Sequence, residues 1–141
     1  MASLIRPLVF FLCVFMIQGT KKNVLVMIGD DYGLRASVYS STCKTPNLDA
    51  LAKRGLTMTN AYTSVSSCSP SRSAILTGLP QHENGMYGLH HQMHHFESFE
   101  GIRSLPKLLN EAKIKTGIIG KKHVGPDDVY PFDFSLVQEF G

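Results

Sequence analysis

The chain has 141 residues, of which 43% are apolar and 18% charged, and a formal net charge of +3. That balance belongs to one ordinary globular domain and excludes a disordered or collagen-like chain; the charge is too small to argue for nucleic acid as a partner. Three cysteines are too few for the disulfide framework of a small secreted scaffold.

Arg6 precedes an unbroken run of ten apolar residues, 8–17, followed by Gln18, Gly19 and Thr20. A basic start, a short apolar run and small residues make a secretory signal peptide, and ten residues fall short of the roughly 30 Å hydrocarbon core of a membrane. Residues 1–20 are therefore set aside as a leader, no membrane anchor is expected, and 21–141 are read as the folded portion. Cys13 goes with the leader, which leaves Cys43 and Cys68.

Residues 23–28, Asn-Val-Leu-Val-Met-Ile, are apolar from Val24 on without alternation, which predicts a strand buried on both faces of a parallel sheet. Ligands of such sheets collect beyond the carboxyl ends of the strands, where Asp30 and Asp31 stand. Adjacent carboxylates repel one another unless they share a cation or strong hydrogen bonds, and hard oxygen ligands suit Ca²⁺ or Mg²⁺. A solvated acidic turn is the plain alternative.

Thr45 as cap, Pro46 at the first position, Lys53 and Arg54 in the last turn and Gly55 beyond it predict a helix over 46–54. Residues 56–62 alternate weakly and read as a strand leading into Ser66-Ser67-Cys68-Ser69-Pro70-Ser71-Arg72. Ser69 as cap, Pro70 first inside and Gly78 as stop predict a short helix from Pro70 to Thr77. Cys68 would then stand just outside a helix N-terminus, a place that favours anions. Arg72 in the first turn works against the helix dipole, and a bound anion would account for it.

Five of the six histidines lie in residues 80–99. The pairs His90/His94 and His91/His95 would suit a transition metal on a helix, but Gly85 and Gly88 favour an irregular loop that lines a polar pocket or lies on the surface. Ser104 caps an amphipathic helix carrying Leu105, Leu108, Leu109 and Ala112, expected to pack on the sheet. A short buried strand over 116–120 follows. If the backbone stays extended past Gly120, Lys121 and His123 face one side together, an ammonium and an imidazole suited to stabilising an anionic oxygen and to protonating or orienting a reacting group.

Cys68-Ser69-Pro70-Ser71-Arg72 followed by Leu76-Thr77-Gly78, and then Gly120-Lys121-Lys122-His123-Val124-Gly125, resemble the two signatures of the type I sulfatases. The stretches 63–72, 79–90, 103–106, 116–126 and 129–134 are similar to the sulfamidase branch of that family, so the likeness covers essentially everything after the leader. It implies an α/β fold of the alkaline-phosphatase-like kind, a mostly parallel sheet flanked by helices, of which the chain is an incomplete N-terminal portion.

The family further implies that Cys68 is oxidised to Cα-formylglycine by a formylglycine-generating enzyme, that its hydrated aldehyde is the nucleophile, and that Asp30, Asp31 and the modified Cys68 ligate Ca²⁺. It assigns Arg72 to holding that nucleophile, Lys121 to contacting the sulfate and His123 to steadying the formylglycine hydroxyls. The implied substrate is N-sulfoglucosamine of heparan sulfate, the implied place the lysosome, reached by the secretory pathway, and the implied assembly a homodimer. Members of the family are several times longer and draw further metal ligands and another histidine from later sequence, so the isolated chain is expected to be inactive. Two other readings stay open: a relative acting on O-sulfate esters, and a secreted module that binds sulfated glycans without turnover.

Overall fold

A computed structural model describes residues 22–91 and 93–138. The leader expected over 1–20 lies outside these residues. The chain divides into two units, the first ending at Gly33 and the second beginning at Leu34.

In the first unit, residues 22–29 have no regular secondary structure. Val24 and Leu25 are 85% and 82% exposed, so the doubly buried strand expected here is absent from the described residues. Apolar sequence makes a parallel strand only where neighbours complete its ladder on either side, and no such ladder forms on this segment. The chain then turns at Asp30 and Asp31, with Asp31 in the left-handed region at φ 49°.

The second unit begins with helix α1, Pro46–Arg54, which follows the expected bounds. Thr45 precedes it without capping through its side chain. Its Oγ1 instead receives the Ser37 amide at 2.9 Å, while Ser37 Oγ donates to the Asp49 carboxylate at 2.7 Å, which ties the preceding loop to the helix. Residues 56–62 are irregular rather than a strand, and Leu56 and Tyr62 are 81% and 89% exposed. The weak alternation there meets no partner strand; the Met58 carbonyl accepts a hydrogen bond from Tyr39 Oη instead.

Helix α2, Cys68–Thr77, starts two residues earlier than its Pro70 suggested, with Ser67 as the capping position. Ser69 does not cap because its side chain is fully buried and receives the amide of His90 at 2.9 Å. Gly78 closes the helix in the left-handed conformation, φ 69°, as a glycine stop requires. A four-residue helix α3, Gln81–Asn84, and an irregular segment through residue 99 follow, so the histidine pairs do not share a helix face.

Helix α4, Leu105–Glu111, is capped by Ser104, whose Oγ accepts from the Lys107 amide at 3.4 Å. It packs on α2 and not on the sheet, and Leu105 and Leu108 keep 47% and 41% exposure. Strand β1, Gly117–Gly120, pairs in parallel with β2, Phe134–Val137, the register matching Gly117 with Phe134 and Gly120 with Val137. The parallel pairing agrees with the expected fold class; the expected burial does not, because two short strands leave both faces uncovered. Among the described residues no helix is long and apolar enough to cross a membrane.

The core of the second unit is small. Met86, Val124, Val129 and Tyr130 are buried together, flanked by Leu76, Ile102 and Phe132. Beside it Tyr130 Oη meets Ser73 Oγ at 2.7 Å and Ser98 Oγ at 2.5 Å, a closed set of buried hydroxyls. It ties α2 to the segments on either side of α4, since the three hydroxyls have their full set of partners only while all three elements stay in place.

Candidate active site

Helix α2 presents Cys68 in its first turn, half-buried, and Arg72 one turn later, only 8% exposed. A buried guanidinium needs partners for its donors. Nη1 of Arg72 donates to the backbone carbonyl of Lys121 at 2.6 Å. This joins the helix of the first motif directly to the loop of the second, and gives Arg72 a reason for its place that the sequence had left to a bound anion.

Beyond β1 the backbone does not stay extended. Gly120 has φ 93° and His123 φ 53°. Lys121 and His123 therefore do not share a face by strand alternation. Lys121 is half-buried, His123 is 6% exposed, and the intervening Lys122 extends to Asp127, its Nζ 2.5 Å from the carboxylate. The bond from Lys122 holds the Asp127 carboxyl below its ordinary range. A left-handed histidine is an uncommon and strained conformation, of the sort retained where a side chain must be aimed.

The sequence reading missed what aims it. The imidazole of His91 stacks on that of His123, ring centroids 5.0 Å apart and planes inclined by 29°, and His90 lies 4.7 Å from His91. The clustering of histidines over 80–99 was the available signal, but periodicity directed attention to His90/His94 and His91/His95 as pairs. No helix among the described residues carries those pairs, and the ring of His94 stacks with that of Phe96, centroids 6.4 Å apart. Asp30 and Asp31, in the first unit, are both exposed on their turn, a pair of hard oxygen donors of the kind that suits a divalent cation.

Residues 22–139 match the family model for sulfatases. The chain is 58% identical over 125 residues to human N-sulphoglucosamine sulphohydrolase, covering 88% of this chain and 25% of that protein. It is 36% identical over 111 residues to an N-acetylglucosamine-6-O-sulfatase of Bacteroides thetaiotaomicron, covering 76% and 19%. Human arylsulfatase G is 31% identical over 139 residues, covering 94% and 26%. The chain thus spans between about a fifth and a quarter of the length of these relatives. With both motifs on one α/β framework and a family match over nearly all its length, the chain belongs to the sulfatase family.

Proposed function

We propose that this chain supplies part of the active site of a sulfamidase, which hydrolyses N-linked sulfate on glucosamine residues of heparan sulfate in the lysosome. The observation that carries the reading is the Arg72 to Lys121 bond, which brings the two motifs together around a buried, strained His123. The similarity to human N-sulphoglucosamine sulphohydrolase supports the N-sulfate assignment over the O-sulfate one.

In this reading Cys68 is converted to formylglycine, and Asp30, Asp31 and that modified residue hold a Ca²⁺. The aldehyde hydrate would supply the nucleophilic oxygen and the cation would offset negative charge on the sulfate. The chain's own residues then have separable tasks. Arg72 is held by its bond to the Lys121 carbonyl and contributes a placed positive charge suited to an anionic group. Lys121 adds an ammonium for the sulfate oxygens. His123, held between its own constrained backbone and the ring of His91, orients the modified residue at position 68 by hydrogen bonding.

The test is sulfate release by the full-length protein from a disaccharide carrying N-sulfoglucosamine, compared with one carrying only a 6-O-sulfate, alongside mass spectrometry of the tryptic peptide 55–72. Release from the N-sulfate and a peptide with the thiol sulfur replaced by aldehyde oxygen are expected. Preference for the O-sulfate moves the protein to an ester sulfatase; an unaltered Cys68 in every copy overturns the mechanism.

A further inference from the structure

Inside the active-site reading just given, and resting on it, the geometry points to His90 as a positioning residue that sets His123 relative to the helix carrying Cys68 and Arg72. Four contacts converge on His90. Its amide donates to Ser69 Oγ, buried next to Cys68, at 2.9 Å. Its Nδ1 donates to the Phe96 carbonyl at 3.1 Å, which closes the loop on itself. Its ring lies 4.7 Å from His91, which stacks on His123. On its other side stands Gly125, two residues beyond His123.

Gly125 carries the strongest sign of design. A Cβ there would lie 2.3 Å from His90 Cε1, 2.8 Å from Nε2 and 3.1 Å from Nδ1, and these ring atoms are the three nearest. Carbon atoms rest at about 3.5–4.0 Å, so no side chain fits while the imidazole is in place. Gly125 is not among the glycines at positive φ. Its φ alone therefore does not call for glycine, and what an added Cβ meets is His90. The last glycine of Gly-Lys-x-His-x-Gly thus clears a seat for an imidazole from another segment. The ring thus meets the His123 loop, while the backbone amide of the same residue is bound to Ser69 on the helix of Cys68. Close-packed groups of this sort transmit displacement rather than absorb it, and a shift on the order of 1 Å at a reacting group can cost about a hundredfold in rate.

The experiment compares wild type, His90→Ala, His90→Asn, Gly125→Ala and the double variant His90→Ala/Gly125→Ala of the full-length protein. Amide hydrogen exchange is read in the peptide 121–126, and kcat and KM are measured on N-sulfoglucosamine disaccharide. His90→Ala is expected to speed exchange in 121–126 at least about tenfold while distant peptides keep their rates. It should lower kcat at least about tenfold with KM within about twofold. His90→Asn, which keeps a donor for the Phe96 carbonyl but no ring, should fall between. Gly125→Ala should resemble His90→Ala, and the double variant should be no worse than His90→Ala alone, because the clash has gone. Unchanged exchange in His90→Ala, or effects that simply multiply in the double variant, overturns the proposal. So does general unfolding in both His90 variants, which would make His90 a fold residue. A wild type without turnover counts against the sulfamidase reading, and the exchange data still decide the coupling.

Discussion

Arg72 and Lys121, 49 residues apart in sequence, are joined by a 2.6 Å hydrogen bond from the guanidinium to a backbone carbonyl. The carbonyl belongs to the turn that leaves β1, where Gly120 and His123 both have positive φ. A charged donor on that carbonyl holds a turn the backbone would otherwise leave. A hydrogen bond to a charged group contributes about 1.5–3 kcal/mol where water is excluded, and Arg72 is only 8% exposed.

Arg72→Lys keeps the charge and loses the planar fork. We expect it to lower unfolding stability by about 1–3 kcal/mol and to reduce kcat/KM at least about tenfold, since an ammonium cannot both reach the Lys121 carbonyl and present a second donor in a fixed direction. Urea unfolding and steady-state kinetics check this. A variant with wild-type midpoint and turnover would show that the guanidinium fork is not needed.

Tyr130→Phe removes the hydroxyl shared by Ser73 and Ser98. Two buried hydroxyls then lose a partner, for an expected loss of about 1–3 kcal/mol at neutral pH. Burial raises the Tyr130 phenol above its ordinary value of 10.0, more than its two hydroxyl bonds lower it. The folded state therefore keeps a proton that the unfolded state gives up, and stability from this group is complete below about pH 10 and lost as pH rises beyond it. Unfolding midpoints at neutral pH and above pH 10 should fall more steeply for wild type than for Tyr130→Phe. Parallel pH profiles refute the assignment.

Asp133 sits just before β2 and receives the Thr116 amide, just before β1, at 2.8 Å, with Lys115 Nζ also at 2.8 Å. The Lys115 bond and the Thr116 amide hold its carboxyl below the usual range. Its contribution is present above the ordinary carboxylate value and lost as pH falls through the lowered one. Asp133→Asn should remove that acid-side dependence and speed amide exchange in residues 117–120. Exchange there indistinguishable from wild type would mean that the β1–β2 pair does not rely on this clasp.

The helices were legible because their ends are written locally. Pro46 at the first position of α1, Gly78 after α2, and Ser104 before α4 each mark a boundary by local chemistry within a turn of the helix end. Residues 23–28 and 56–62 read as strands and are not, because a strand needs a neighbour and the sequence of the strand does not name one. Cys68, Arg72, Lys121 and His123 were singled out from their motifs, and the structure joins Arg72 to the Lys121 backbone. The extended-chain argument for Lys121 and His123 failed on two positive φ angles. Neither Ser69 as the receiver of the His90 amide nor Gly125 as the seat for its ring could be seen in one sequence, since each is defined by a residue more than 20 positions away.

Gly85 offers the sharpest test of the loop that carries His90 and His91. It follows α3 at φ 88°, and an added Cβ would lie 2.9 Å from Cδ1 and Cγ of Phe99. Its amide closes α3 on the Gln81 carbonyl at 2.9 Å, and the adjoining Asn84 carbonyl accepts from the Phe99 amide at 2.9 Å. Alanine at 85 is therefore penalised twice: about 1–2 kcal/mol for a left-handed L-residue, and more for the contact with a ring that the Phe99 amide holds close. Gly85→Ala should cost at least about 2 kcal/mol. Gly85→Ala/Phe99→Leu should lose less than the sum of its parts, because the smaller side chain relieves the contact and leaves only the backbone term. Equal costs for Gly85→Ala with and without Phe99→Leu would place the whole penalty in the backbone and remove the ring from the argument.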